Sequence, residues 1–141
     1  MTDMTPATRF TSRVEAVLGQ SRTIRAMLLD EVVPHLPPAR RSAAEHVARR
    51  LIPSRIFASE TLHDLDALIA QLEQEAEAGT RTGWEADDGH SRGGWTTIWR
   101  DERAASLTAS AAELRRFRMS ITTVIDALEA ERIANRLMDA E

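Results

Sequence analysis

The sequence predicts an all-α fold: an antiparallel helical bundle of four or five helices with one long loop rich in glycine and tryptophan. Three observations indicate it. Apolar residues recur at steps of three and four, the sequence has no long alternating run of β-branched residues, and prolines and glycines divide it into segments of helical length. For 141 residues, we expect a single helical domain spanning residues 1–141.

Two helices are expected before Pro53. The first spans about residues 8 to 33 and ends there because Pro34 cannot donate a backbone hydrogen bond and disfavours a helical residue before it. The second spans about residues 38 to 52. The apolar face of the first helix consists of Phe10, Val14, Val17, Ser21, Ile24, Leu28 and Val32.

Helical spacing is found on both sides of the predicted loop. A third helix is expected from Ser59 to Gly79, which ends it, since glycine is the usual residue after a helix C-terminus. Its apolar residues are Leu62, Leu65, Ile69, Leu72 and Ala76. After the loop, the pattern favours two helical segments, residues 96–108 and 110–139, which could also be one helix with a bend.

The predicted loop, residues 79–95, contains five of the six glycines and, with Trp99, all three tryptophans. The rings could cap the core of the bundle, or they could present anchors to a partner, because Trp and Arg dominate binding hot spots. The loop is also longer than a bundle needs. We therefore take Trp84, Arg92 and Trp95 as candidate partner-binding residues, and we expect Trp99 to pack in the core.

The same loop holds the only metal-ligand candidates, which are weak. Asp87, Asp88 and His90 could meet a divalent cation, but they lack the pattern of a calcium-binding loop and also fit an ordinary polar turn. The sequence has no cysteine and no glycine-rich phosphate or nucleophile motif. We expect no cofactor and predict no catalytic residue. The alternative is a small enzyme or a ligand- or metal-binding bundle that uses residues 84–99.

Charge is distributed unevenly around a net charge of −4, and every one of the 18 basic residues is arginine. Residues 1–55 carry nine arginines against five acidic residues, whereas residues 56–95 carry two against nine. Such polarity could steer a partner or align two copies of the chain. Arginine pairs at 40–41, 49–50 and 115–116 suggest a second alternative, an Arg-mediated nucleic-acid-binding protein. The negative net charge and the lack of one basic stripe argue against it.

The C-terminal turns change their apolar face. Up to Leu128 the apolar residues share one side of the helix, but Arg132 falls where that side should continue. Ala130, Ile133, Ala134 and Leu137 gather on nearly the opposite side. A straight helix cannot bury both sides in one small bundle. Either the helix bends near Glu129, or residues 129–141 form a tail helix that packs on another surface, the alternative being a frayed end in solvent. Ile133 and Leu137 are therefore candidate contacts, and exchange of this tail predicts a homodimer.

These observations favour a non-enzymatic helical binding protein, an adaptor, regulator or assembly factor that acts through protein–protein contacts. Its expected partners are another protein or a second copy of the chain. The N-terminus has no secretory pattern, and no apolar run approaches the length of a membrane span. We therefore expect a cytoplasmic location without membrane insertion.

Overall fold

The protein is described from a computed structural model, which covers the backbone of residues 6–86 and 93–139 and the side chains of residues 11–79 and 101–139. Within these ranges the chain is nearly all helical, as predicted, and its four α-helices pack on one another. They are α1 (Pro6–Met27), α2 (Arg41–Arg50), α3 (Ser59–Ala78) and α4 (Glu102–Asp139). Two antiparallel strands, β1 (Thr80–Ala86) and β2 (Gly93–Arg100), connect α3 to α4.

The apolar face predicted for the first helix is confirmed where its side chains are described. Val17, Ile24, Leu28 and Val32 are buried, and Val14 is half-buried. Ser21, the one polar residue on this face, is also buried, and its hydroxyl donates to the Leu18 carbonyl at 2.6 Å. The buried hydroxyl is thus satisfied within its own helix.

The first helix does not end abruptly before Pro34. Its hydrogen-bonding pattern changes over the two turns around this proline. After α1 the chain widens into a π-helical turn, Leu28–Val32, and then tightens into a 3-10 turn, Val33–His35. Proline cannot donate the next helical hydrogen bond, and its ring crowds the carbonyl one turn earlier. The His35 Nδ1 atom donates to the Glu31 carbonyl, which satisfies a helix-end acceptor through a side chain.

Helices α2 and α3 follow the predicted pattern with small differences at their ends. A 3-10 turn, Pro38–Arg40, precedes α2, so the α-helix itself is shorter than expected. The α3 helix spans its predicted range and is followed by Gly79. Four of its predicted core residues, Leu65, Ile69, Leu72 and Ala76, are buried, and Leu62 is half-buried.

The buried apolar side chains of all four helices form a single cluster. Every helix contributes to it, for example through Val17 of α1, Val47 of α2, Leu65 of α3 and Leu114 of α4. The connection between α2 and α3 adds Leu51 and Ile56, which are 2% and 0% exposed. The cluster therefore extends under this connection as well as between the helices.

The prediction of a long loop between the third and fourth helices is wrong in part, because the described residues of this segment form a β-hairpin. Residues of β1 pair with residues of β2 in an antiparallel register from Thr80 with Arg100 to Ala86 with Gly93. Trp, Thr and Ile favour strands, and opposed aromatic residues stabilise such pairs. The predicted helical start at residue 96 is wrong for the same reason, since residues 96–100 belong to β2.

The C-terminal region follows the alternative of a continuous helix and not the two favoured segments, since α4 is one helix of 38 residues. It begins after Asp101, whose Oδ1 atom accepts the Ala104 amide at 2.5 Å. A carboxylate at this position satisfies an amide of the first turn and interacts favourably with the helix dipole. The cap fixes the start of α4 directly after β2.

Helices α3 and α4 run antiparallel. They approach closely at the end of α3 and the start of α4, where the hairpin connects them. Ion pairs join Glu75 to Arg103 near this end and Asp66 to Arg118 further along. The Asp101 amide donates to the Gly79 carbonyl at 3.1 Å, which closes the base of the hairpin. Gly79 has no room for a side chain, because a Cβ would lie 2.6 Å from the Asp101 carboxylate and 2.9 Å from the Ala104 Cβ.

Substitution of Gly79 by alanine is therefore expected to lower the free energy of unfolding by about 1–3 kcal/mol, through overpacking and displacement of the Asp101 cap. The matched control is Gly19→Ala in α1, where a Cβ meets nothing within 4 Å. That change should raise the free energy of unfolding by about 0.5–1 kcal/mol, because alanine favours helix. Urea unfolding followed by helical ellipticity measures both. Equal effects of the two substitutions would contradict the close approach at Gly79.

Candidate interaction surfaces

The end of α4 carries an apolar stripe that no described residue covers. Every residue from 129 to 139 is exposed, although the helix runs on to Asp139. Ile133, Leu137 and Met138 are 49%, 66% and 72% exposed. We call these three residues, with Ala130 and Ala134, the tail stripe. Their spacing of three and four residues places them along one side of the helix.

Five charged residues accompany the tail stripe, and the acidic ones are in excess. They are Glu129, Glu131, Arg132, Arg136 and Asp139. The one ion pair found among them joins Arg132 to Glu129 at 3.9 Å, and both side chains are more than half exposed. A pair so exposed contributes little to stability. The tail therefore presents an apolar side with a net negative border.

A second apolar surface lies between the π-helical turn after α1 and helix α2. We call it the Leu29 groove, and it encloses about 620 Å³. Leu29 is 46% exposed within it. Its lining residues are Arg25, Leu29, Val33, Glu45, Ala48, Arg49 and Ile52. Two smaller hollows between α1 and α4, of about 240 and 270 Å³, have more polar linings.

Two arginines border the Leu29 groove. The Arg49 Nε atom donates to the Glu45 carbonyl at 3.4 Å, which leaves its charge without a carboxylate partner in the part of the chain that the structure describes. Arg25 likewise forms no ion pair with a described side chain. Against the single carboxylate of Glu45, the groove has a net positive border.

Two of the candidate tryptophans occupy paired positions on the two strands of the hairpin. The α-carbons of Trp84 and Trp95 are cross-strand partners. A register shift between Arg81 and Thr82 pairs Arg81 with Trp99. The side chains of all three tryptophans, including Trp99, which was expected to pack in the core, lie outside the described side chains.

The remaining candidates of the predicted loop cannot be placed. Arg92 and the three weak metal-ligand candidates, Asp87, Asp88 and His90, lie outside the described residues. Within the described ranges, no group of three or more His, Asp or Glu side chains is arranged to hold a metal ion. Nor does any helix in those ranges combine the length and apolar character needed to cross a membrane.

Sequence reasoning missed a small ionic cluster between α2 and α3. Asp64 Oδ2 lies 3.1 Å from His46 Nε2 and 3.0 Å from Arg50 Nε, and these two nitrogens are 3.1 Å apart. One Nε2 atom cannot donate and accept at once, so the consistent assignment has both nitrogens donating to Asp64. His46 and Asp64 lie 18 positions apart in the sequence, and no spacing rule predicts a contact between two different helices over that distance. The cluster ties α2 to α3.

The paired arginines of the sequence mostly face carboxylates of the same chain. Arg50 pairs with Asp64, Arg115 with Glu73, and Arg116 with Glu113. Arg118 pairs with Asp66, and its Nε atom lies 2.5 Å from Oδ1. Arg41 donates to the Leu36 carbonyl at 3.0 Å. These guanidinium groups are thus distributed around the helices as cross-links and do not form a single phosphate-binding stripe.

Glu75 joins three parts of the fold. Its carboxylate is only 13% exposed and lies 3.2 Å from Arg40 Nε and 2.7 Å from an Arg103 amino group. Arg103 Nε also donates to the His35 carbonyl at 2.5 Å. The α1–α2 connection, α3 and α4 are therefore held together by one carboxylate and two guanidinium groups, which are strong hydrogen-bonding partners.

No family model matches the chain, and neither a curated protein nor a solved structure is significantly similar to it.

Removal of the Glu75 carboxylate is expected to destabilise the fold. Glu75→Ala should lower the free energy of unfolding by about 1–3 kcal/mol, because it removes charge-assisted hydrogen bonds from a mostly buried group. Glu73→Ala is the matched control on the same helix, since the Glu73–Arg115 pair is exposed at both ends. It should change the free energy by less than about 1 kcal/mol. Thermal unfolding of both variants measures these changes. Equal losses of stability in the two variants would show that Glu75 has no special role.

Proposed function

We propose that this chain is a non-enzymatic helical binding protein, an adaptor, regulator or assembly factor that acts through protein–protein contacts in the cytoplasm. The observation that carries the proposal is the tail stripe, an ordered apolar side of α4 that extends past the described core. Ile133, Leu137 and Met138 are the large residues on it. Isolated exposed apolar residues are common, but a helical stripe of them is typical of a helix that docks on another surface.

The energetics of the tail support this proposal. Every residue from 129 to 139 is exposed, so the core gives the tail little tertiary stabilisation. A short helix without such packing is marginal in water. Burial of the three large side chains on a partner would contribute about 1–2 kcal/mol each. Docking would therefore stabilise both the tail helix and the complex.

The hairpin supports a second contact in the same proposal. Outside its own pairing, its backbone contacts are concentrated where β1 leaves α3. A two-stranded hairpin with so little support is marginally stable on its own. We propose that Trp84 and Trp95, which are cross-strand partners, act with Arg92 as partner-binding residues, since such rings are frequent anchors in interfaces.

The tail contact is tested by Leu137→Asp in the full chain, used as bait for affinity capture from the native cell extract. We expect proteins captured by the parent chain to be lost, while the unfolding midpoint stays unchanged because Leu137 is 66% exposed. Met119→Asp is the control, since Met119 is 69% exposed on the same helix but lies outside the tail stripe. Capture that survives Leu137→Asp would remove the tail from the proposal.

The hairpin contact is tested by Trp84→Ala. We expect loss of captured partner with a change of less than about 0.5 kcal/mol in the free energy of helical unfolding, as for a surface position. A tryptophan that instead caps the core would cost about 3–5 kcal/mol when truncated. Urea unfolding measured beside the capture assay separates these cases, and a loss of stability of that size would assign Trp84 to the core.

A further inference from the structure

We infer that the tail stripe of one copy docks in the Leu29 groove of a second copy, and that the two copies exchange tails reciprocally. This inference rests on the proposed function and names the partner: another molecule of the same chain. The tail stripe and the Leu29 groove are both apolar, both exposed, and carried by different elements of one fold. A surface and its complement on the same chain are the requirement for self-association.

The tail of one molecule does not fill its own groove. Helix α4 is continuous through Asp139, and every described residue from 129 onward is exposed. To fold back, the chain would have to break the helix after Leu128 and lose the hydrogen bonds of that turn. The tail keeps its helix only when the groove belongs to another molecule.

The apolar parts of the two surfaces match in character. Residues 129–139 form three turns, roughly 16 Å long, and they place two or three large side chains on one side. The groove offers aliphatic groups from Leu29, Val33 and Ile52 around the small residue Ala48. A small residue in the floor lets a docked helix approach closely. Leucine and isoleucine from the tail would then cover the exposed half of Leu29.

The charges around the two surfaces are complementary. The groove is bordered by Arg25 and Arg49, which have no carboxylate partner among the described residues. The tail supplies Glu129, Glu131 and Asp139 against Arg132 and Arg136, a net charge of −1. Opposite charges at the rim of an interface steer the encounter and fix its orientation. The basic first third of the chain thus gains a function as the acceptor of an acidic tail.

Reciprocal exchange makes the assembly finite. If each copy gives its tail and receives the other, the same contact occurs twice about a two-fold axis and no surface remains open for further growth. Each contact involves about three turns of helix, which is small for a stable interface, so two contacts in one dimer are required. We therefore expect a mass of two copies and no larger species.

Light scattering of the full chain and two variants tests the inference. Leu137→Asp disables the tail and leaves the groove intact, whereas Leu29→Asp disables the groove and leaves the tail intact. Each variant alone should have the mass of one copy, with dimerisation weakened about 10- to 100-fold or more. A 1:1 mixture of the two retains one intact contact of the two, so it should associate more strongly than either variant alone, which has none, and more weakly than the parent chain. Met119→Asp should dimerise as the parent does.

Three results would overturn the inference. The parent chain could be monomeric at high micromolar concentration, Leu29→Asp alone could remain dimeric, or the 1:1 mixture could associate no more strongly than either variant alone. The second result would indicate tail-to-tail pairing, which needs no groove. A charge-swap variant gives an independent readout: Arg25→Glu with Arg49→Glu should abolish dimerisation at low salt, and added Glu129→Arg with Glu131→Arg should restore it.

Failure of this inference is distinguishable from failure of the proposed function. A monomeric parent chain that nevertheless loses captured protein on Leu137→Asp would keep the tail as a binding surface for a different protein, and would exclude only the second copy. A parent chain that neither dimerises nor captures protein through Leu137 would overturn both.

Discussion

The close approach of α3 and α4 at Gly79 is the constraint on which the rest of the structure depends. The Gly79 carbonyl accepts the Asp101 amide, and the Asp101 carboxylate caps α4, so one pair of residues ends one helix and starts the next. This sets the antiparallel register of α3 against α4. The hairpin is thereby held at the start of β1 and at the end of β2. A side chain at Gly79 would displace the Asp101 cap.

The register of α3 against α4 also positions the first half of the chain. It places Glu75 beside Arg103, and Arg103 reaches the His35 carbonyl just after the bend that Pro34 imposes. Arg40, at the start of α2, completes the cluster from the other side. The direction of α2 relative to α1, and with it the shape of the Leu29 groove, thus depends on contacts made by helices far along the sequence.

The proposed function follows from what this arrangement leaves uncovered. The core takes up α4 as far as Val124, and the helix continues for several more turns with its apolar side exposed. At the other end of the sequence, the bend at Pro34 leaves Leu29 half exposed beside α2. Both features are costly for an isolated chain and become useful when another molecule covers them. The exchange of tails that we propose would cover both with one contact.

The sequence by itself determined the helices and their buried sides, because a period of three to four residues is local information. It also indicated that the apolar side of the last helix changes at Arg132, which marked Ile133 and Leu137 as candidate contact residues. Only the tertiary structure decided the hairpin: the spacing of Trp95 and Trp99 fits a helix turn, whereas strand pairing joins residues as far apart in sequence as Thr80 and Arg100. The Leu29 groove and the Glu75 cluster were likewise decided by tertiary contacts, because their residues come from separate elements that no local pattern connects.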